Sequence, residues 1–248
     1  MNSTSTGIDL KPAGARPAWL EPIAATARFG RKVLRTLFFP QVFRMVERTG
    51  PVERIDEVVR LACRGFWGAL SPIQNQVEFA EYLRRVKQLQ PRCLLEIGTA
   101  QGGSLFAHTR VAAPDAHIIS LDLPMGPGGG GYTEGRIPLY QKFALPGQKI
   151  DLVRDDSHSP AVHRKIEELL GGRSIDVLFI DGDHSYEGVK ADYEMYGPLV
   201  RPGGLIAFHD TVYIGDVTRF WNEVKVGQDA EELTGPGRVF GIGLIRKR

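Results

Sequence analysis

The sequence predicts an α/β chain: a doubly wound, seven-stranded, mostly parallel sheet with an antiparallel last strand and a helical extension at its N-terminal side. Three observations predict it. Short apolar runs at 93–97, 118–121, 150–153, 177–180 and 205–208 alternate with helix-length segments, which is the pattern of strand–helix–strand units in a parallel sheet. The first of these runs opens into a glycine-rich turn, Gly98 to Gly103, before a helix. Near the C-terminus, Gly235-Pro236-Gly237 separates a short run at 231–234 from the apolar stretch 239–245, and a hairpin there makes the final strand antiparallel.

With 248 residues, 42% of them hydrophobic, the chain can bury one large core with appendages. Residues 1–25 are rich in Ser, Thr, Gly, Ala and Pro without periodicity and read as a loose arm. From 28 to 48, Arg28, Arg31, Lys32, Arg35, Arg44 and Arg48 interleave with Val33, Leu34, Leu37, Phe38, Phe39, Val42 and Phe43. This is a basic amphipathic helix broken near Pro40, and two readings stay open: contact with an anionic membrane surface or a partner, or an apolar stripe that packs on the chain's own core. Helical patterns follow at 55–65 and 76–89, separated by turn signals at Ser71 and Pro72. The organisation expected is therefore an arm to 25, a helical extension over 26–90 and the α/β domain over 91–248.

A net charge of +2 gives no global case for a nucleic-acid partner. The two cysteines, Cys63 and Cys93, are too few for a disulfide framework and read as reduced, buried thiols. No secretory leader pattern or membrane-length apolar run is present, so a cytoplasmic location is expected.

The turn Glu96-Ile97-Gly98-Thr99-Ala100-Gln101-Gly102-Gly103-Ser104 leads into a helix whose first N–H groups suit an anionic group. Asp122 closes the second apolar run twenty residues beyond Gly102, a spacing at which a carboxylate accepts hydrogen bonds from a ribose diol. The ligand expected contains adenosine. The turn reads G-x-x-x-G-G, so it lacks the second glycine of the dinucleotide pattern G-x-G-x-x-G, which argues against NAD.

On these residues the chain resembles the class I S-adenosylmethionine-dependent methyltransferases related to catechol O-methyltransferase. It is nearest to a small bacterial group that includes macrolide-sugar O-methyltransferases and cephalosporin-hydroxylase-like proteins, and the resemblance runs from about Leu70 to the C-terminus. It implies a Rossmann-like fold in which Glu96, Gly98, Thr99, Gly102 and Ser104 hold the methionine part of S-adenosylmethionine. Asp122 is then the ribose ligand, and Asp156 with Ser157 contact adenine; N-capping of the following helix is an equally available role for the last two.

Further along, the strand D-V-L-F-I-D-G-D-H ends in Asp181, Asp183 and His184, and the strand G-G-L-I-A-F-H-D ends in His209 and Asp210. In an open parallel sheet, ligands gather beyond the carboxyl ends of strands, so adjacent strands deliver these groups to one crevice. Carboxylates brought so close repel each other unless a cation or proton intervenes. The resemblance implies that Asp181, His209 and Asp210 hold magnesium. His209 departs from the family's oxygen ligand, which points either to a softer ion such as Mn²⁺ or Fe²⁺ or to a supporting position for His209. His184 stands where relatives carry a lysine or histidine base, and imidazole suits proton transfer near neutral pH; capping the next helix is its alternative. Asp183 reads as a turn or capping residue.

Between Pro124 and Pro146, four consecutive glycines suggest either a lid or a passive loop, with Tyr132, Arg136 and Tyr140 as candidate acceptor contacts. His158 and His163 carry no assigned role. The function expected is metal-assisted O-methylation of a small sugar, polyketide or phenolic metabolite, in a protein capable of homo-oligomer formation. Other chemistry within the group, or non-catalytic cofactor binding in a biosynthetic complex, are the alternatives.

Overall fold

The computed structural model describes residues 39–126, 131–237 and 239–248, and Val42–Arg248 form one compact unit. The arm and the first half of the basic stretch, residues 1–38, lie outside the described residues, as do four residues, 127–130, of the glycine-rich segment.

Seven strands form one sheet: β1 (Cys93–Ile97), β2 (His117–Asp122), β3 (Lys149–Arg154), β4 (Ile175–Ile180), β5 (Val200–His209), β6 (Asp229–Leu233) and β7 (Ile242–Arg246). Their order is β3-β2-β1-β4-β5-β7-β6. Strands β1 to β5 pair in parallel, and β7 runs antiparallel to both β5 and β6. The expected Rossmann-like sheet and its antiparallel last strand are both present. The order reverses between β1 and β4, and this is the switch point at which such sheets open a crevice beyond their strand ends.

Central strands are buried on both faces, which is why β1 is apolar but for Glu96, with all five residues buried. Helices cover each face. On one side, α5 (Pro160–Leu170), α6 (Tyr186–Tyr196) and α7 (Gly215–Val224) bury Val162, Ile166, Val189, Phe220 and Trp221 against Leu95, Ile97, Ile180 and Phe208. On the other, α1 (Ile55–Arg64), α2 (Gln76–Leu89) and α3 (Gly103–Val111) pack together, with the short α4 (Ile137–Gln141) following β2. Phe106 of α3 meets Phe66 and Phe143 edge to face, and Tyr82 of α2 lies 5.1 Å from Phe179 of β4. Each of these rings, once fully buried, contributes about 1.5–3 kcal/mol.

The helix boundaries have local causes. Asn75 caps α2 by accepting the Val77 N–H at 2.9 Å, Pro160 sits in the first turn of α5, and Gly171 (φ +58°) ends α5 in the left-handed region. The chain is helical at Pro40 and onward to 48. Val42 and Val46, one turn apart, are buried, while Lys142 pairs with Glu47 at 3.0 Å and lies over the Phe43 ring. In this described half, the amphipathic stripe packs on the chain's own core. Among the described residues no helix is long and apolar enough to cross a membrane, and Cys63 and Cys93 are buried free thiols.

Candidate active site

The glycine turn is shaped by the protein packed around it. Gly98 has φ +90°, and a Cβ there would lie 1.9 Å from the Asp181 carbonyl oxygen, so only glycine lets the ends of β1 and β4 meet. Gly102 (φ +85°) lies under the Tyr140 ring, whose atoms would be 2.6 Å from a Cβ, and Gly103 lies against the Leu70 carbonyl and Pro72. Packing within the protein by itself therefore demands glycine at these positions. Tyr140 completes the arrangement by donating its hydroxyl to the Ala100 carbonyl at 2.8 Å, and Arg136 donates to the Ala69 and Gln101 carbonyls. Tyr132 and Tyr140 are both buried, with ring centroids 4.8 Å apart. They form the wall behind the turn, so neither is an exposed lid residue.

Beneath the turn, Glu96 is fully buried. It accepts the Ser104 hydroxyl at 2.5 Å and meets His108 Nδ1 at 3.0 Å, and His108 Nε2 meets the Tyr82 hydroxyl at 2.8 Å. Thr99 Oγ1 lies 2.6 Å from Ser120 Oγ. The side chains of Glu96, Thr99 and Ser104 are thus engaged within the protein, while the start of α3, capped by no side chain, leaves its amides facing the turn. At the end of β2, Asp122 accepts the Ala100 N–H at 2.9 Å. Burial pushes its carboxyl up to about 6, against the pull of the backbone donors Ala100, Tyr132 and Thr99.

After β3, Asp156 accepts the His158 N–H at 2.9 Å, and the Ser157 carbonyl accepts the Tyr196 hydroxyl at 2.7 Å. His158, for which the sequence offered no role, stands 3.3 Å from the fully buried carboxylate of Asp192 on α6. The Asp192 pairing holds His158 up at about 9, burial opposing it. Because the folded value lies above the ordinary 6.5, the pair stabilises the fold fully below about pH 6.5 and loses that contribution as pH rises through about 9. We expect the denaturation midpoint to fall over this interval and the fall to be reduced in His158→Gln. An equal fall in wild type and variant would contradict this.

At the ends of β4 and β5 the structure brings together Asp181, His184, His209 and Asp210. His184 Nε2 lies 3.1 Å from Asp210 Oδ2 and 3.5 Å from Asp181 Oδ1; His209 Nδ1 lies 3.2 Å and 3.1 Å from the same two oxygens. Asp210 is buried with φ +63°, a left-handed conformation that side chains rarely adopt, and its Oδ1 has no hydrogen-bond partner. His184 is half-exposed, whereas His209 is buried with the Phe240 ring stacked on it at 5.6 Å. The carboxylates Asp181 and Asp210 raise His184 to about 10. Burial opposes charge on His209, yet Asp181 and Asp210 outweigh it and bring this group also to about 10. Burial likewise opposes charge on Asp210, but His184 and His209 draw it down to about 2. The two carboxylates thus favour positive charge on the imidazoles that face them.

Ligand atoms of Asp181, His184 and Asp210 all lie within 4.8 Å of one another, a spacing that could hold a metal ion; His209 abuts this group from the buried side. Asp183 accepts the Ser185 N–H and Ser185 caps α6, so His184 does not serve as the cap. Gln74, from the loop before α2, donates to Asp181 Oδ2 at 3.1 Å. Sequence reasoning missed it, since a glutamine 107 positions away carries no local signal.

Residues 95–211 match the family model of a methyltransferase domain. The chain is 29% identical over 165 residues to Tapetum-specific methyltransferase 1 of Arabidopsis thaliana, covering 64% of each chain. In structure it is similar to an O-methyltransferase from Bacillus cereus in complex with S-adenosylhomocysteine (TM-score 0.53, 18% identity, 79% of this chain and 92% of that one). It is also similar to MycE methyltransferase from the mycinamycin biosynthetic pathway, in complex with Mg and S-adenosylhomocysteine (TM-score 0.51, 17% identity, 79% of this chain and 55% of that one). The chain spans from 14% to about two thirds of the length of the curated relatives it matches.

Proposed function

We propose that the chain is an S-adenosylmethionine-dependent O-methyltransferase that uses a divalent cation to transfer a methyl group to a hydroxyl of a small metabolite. The observation that carries this reading is the juxtaposition of two sites across one crevice: the turn with Asp122 at the ends of β1 and β2, and the Asp181–His184–Asp210 group at the ends of β4 and β5. The contact between Gly98 and the Asp181 carbonyl joins them.

The residues fit the cofactor. Asp122 offers a buried carboxylate to a ribose diol, and the uncapped start of α3 offers amides to the methionine carboxylate. S-adenosylmethionine, when bound, supplies a methyl group on a sulfonium, whose departure leaves a neutral thioether. The residues also fit a cation, and what supports this is the buried Asp210 Oδ1 without a hydrogen-bond partner, beside a second carboxylate at the end of the adjacent strand. Asp181, Asp210 and the His209 Nδ1 that faces them both would hold it, leaving His184 Nε2 free, and the mixed nitrogen and oxygen donors suit Mn²⁺ or Fe²⁺ as well as Mg²⁺. A bound cation there supplies charge that makes an acceptor hydroxyl more acidic.

The chain's own work is to orient and to move a proton. His184 Nε2, half-exposed to the crevice, would take the hydroxyl proton of the acceptor from its neutral form, which a cation between the carboxylates would favour by supplying the positive charge they otherwise draw from the imidazole. Gln74 fixes Asp181, and Phe240 stacks on His209. The test is calorimetry: S-adenosylmethionine should bind one to one and be displaced by S-adenosylhomocysteine. Absence of binding in the folded protein would remove the reading.

A further inference from the structure

Two segments remote in the chain build the side of the crevice next to His209. Glu78, in the first turn of α2, is 1% exposed, and its carboxylate accepts the Gly235 N–H at 2.6 Å and the Gly241 N–H at 2.9 Å. These amides bracket the loop between β6 and β7, so one buried carboxylate closes both ends of it. Asn75 fills the space over Gly235, where a Cβ would lie 2.7 Å from its amide nitrogen. The loop after β5 is tied to the same hairpin: the Val212 N–H donates to the Phe240 carbonyl at 2.8 Å and the Thr211 N–H to the Gly241 carbonyl at 3.3 Å. Phe240 is thereby laid on His209, and Tyr213 meets Phe240 edge to face at 5.6 Å.

Burial does not explain Tyr213, which is 65% exposed. Val239, beside Phe240, and Ile73, beside Gln74, are exposed as well. Apolar side chains therefore stand in water on the segments that touch the Asp181–Asp210 group, Gln74 reaching Asp181 and Phe240 covering His209. A polar centre with an apolar shelf beside it is the arrangement that binds a small molecule by its ring while a few polar groups orient its hydroxyl.

We propose that Phe240 and Tyr213 are the shelf on which the acceptor lies, that the shelf takes the flat, apolar face of a ring carrying the hydroxyl, and that Glu78 is the positioning residue that sets it. This rests on the methyl-transfer reading above. A carbohydrate-like acceptor without such a face is the competing class.

The probe is 4-nitrocatechol, a flat ring with adjacent hydroxyls whose absorbance reports binding, titrated into the full chain loaded with S-adenosylhomocysteine and Mn²⁺. Wild type binds it, in preference to methyl glucopyranoside. Tyr213→Ala and Phe240→Ala each weaken the probe roughly tenfold, the scale of one aromatic contact, while Phe240→Tyr stays near wild type. Glu78→Gln puts an amide donor against a backbone N–H and weakens the probe by a similar factor. In every variant the affinity for S-adenosylhomocysteine stays within about twofold, a separation that general loss of structure would not give. Tyr213, being exposed, keeps the test open if Glu78→Gln does not fold. Unchanged probe affinity in Tyr213→Ala and Phe240→Ala, a loaded wild type that does not take the probe, or preference for the glucopyranoside overturns the shelf. Failure of wild type to bind S-adenosylhomocysteine overturns the underlying reading instead.

Discussion

His184→Ala is expected to lower the turnover number by roughly 10²–10⁴-fold, the range over which a positioned general base contributes, with little change in affinity for S-adenosylhomocysteine. The expectation follows from placement. His184 is the half-exposed member of a group whose other imidazole, His209, is buried under Phe240. It faces both carboxylates yet remains open to the crevice. His184→Gln separates its two possible contributions, because a glutamine oxygen can still approach a cation but cannot take a proton at neutral pH. If proton transfer is the main contribution, the glutamine variant is as slow as the alanine variant and binds Mn²⁺ nearly as well as wild type. If both variants lose Mn²⁺ together with turnover, His184 acts as a ligand. Steady-state rates beside Mn²⁺ titrations decide between these outcomes.

Asp122→Asn is expected to weaken S-adenosylmethionine by roughly 10–100-fold, since hydrogen bonds to a charged group are worth about 1.5–3 kcal/mol. The effect also has a pH signature. Burial lifts the Asp122 carboxyl to about 6, and a diol donates best to the ionised form. Wild-type affinity should therefore be full above about pH 7 and decline as pH falls through about 6, while the asparagine variant shows no such decline. Calorimetry at pH 5 and pH 8 measures both predictions. Equal affinity in wild type and variant at pH 8 would show that Asp122 only braces the turn through Ala100.

The fold was legible because its determinants are local. The run 177–180 is apolar throughout and 93–97 is apolar but for Glu96, since central parallel strands are buried on both faces, and Gly235-Pro236-Gly237 marks the hairpin that reverses β7. The meeting of Asp181 and Asp210 was legible for a related reason: adjacent parallel strands end side by side, as the pairing of Ile180 with Phe208 brings about. What lay hidden depends on contacts between distant segments. Gln74, Glu78 and Phe240 acquire their places only when α2 and the last hairpin close on the sheet. Tyr140 illustrates the same limit, because sequence names the residue but only packing points its hydroxyl at Ala100 and its ring at Gly102. His158 had no visible role for want of its partner, Asp192, 34 positions away on another element.

Metal-assisted methyl transfer to oxygen is tested most directly by following a labelled methyl group. The full chain is incubated with methyl-labelled S-adenosylmethionine and a panel of hydroxyl-bearing ring compounds, with Mg²⁺ or Mn²⁺ and, in parallel, with excess chelator. The predicted result is label on an acceptor oxygen as a methyl ether, in the presence of the cation and not with the chelator. Label on nitrogen or carbon, or transfer undiminished by the chelator, would contradict it.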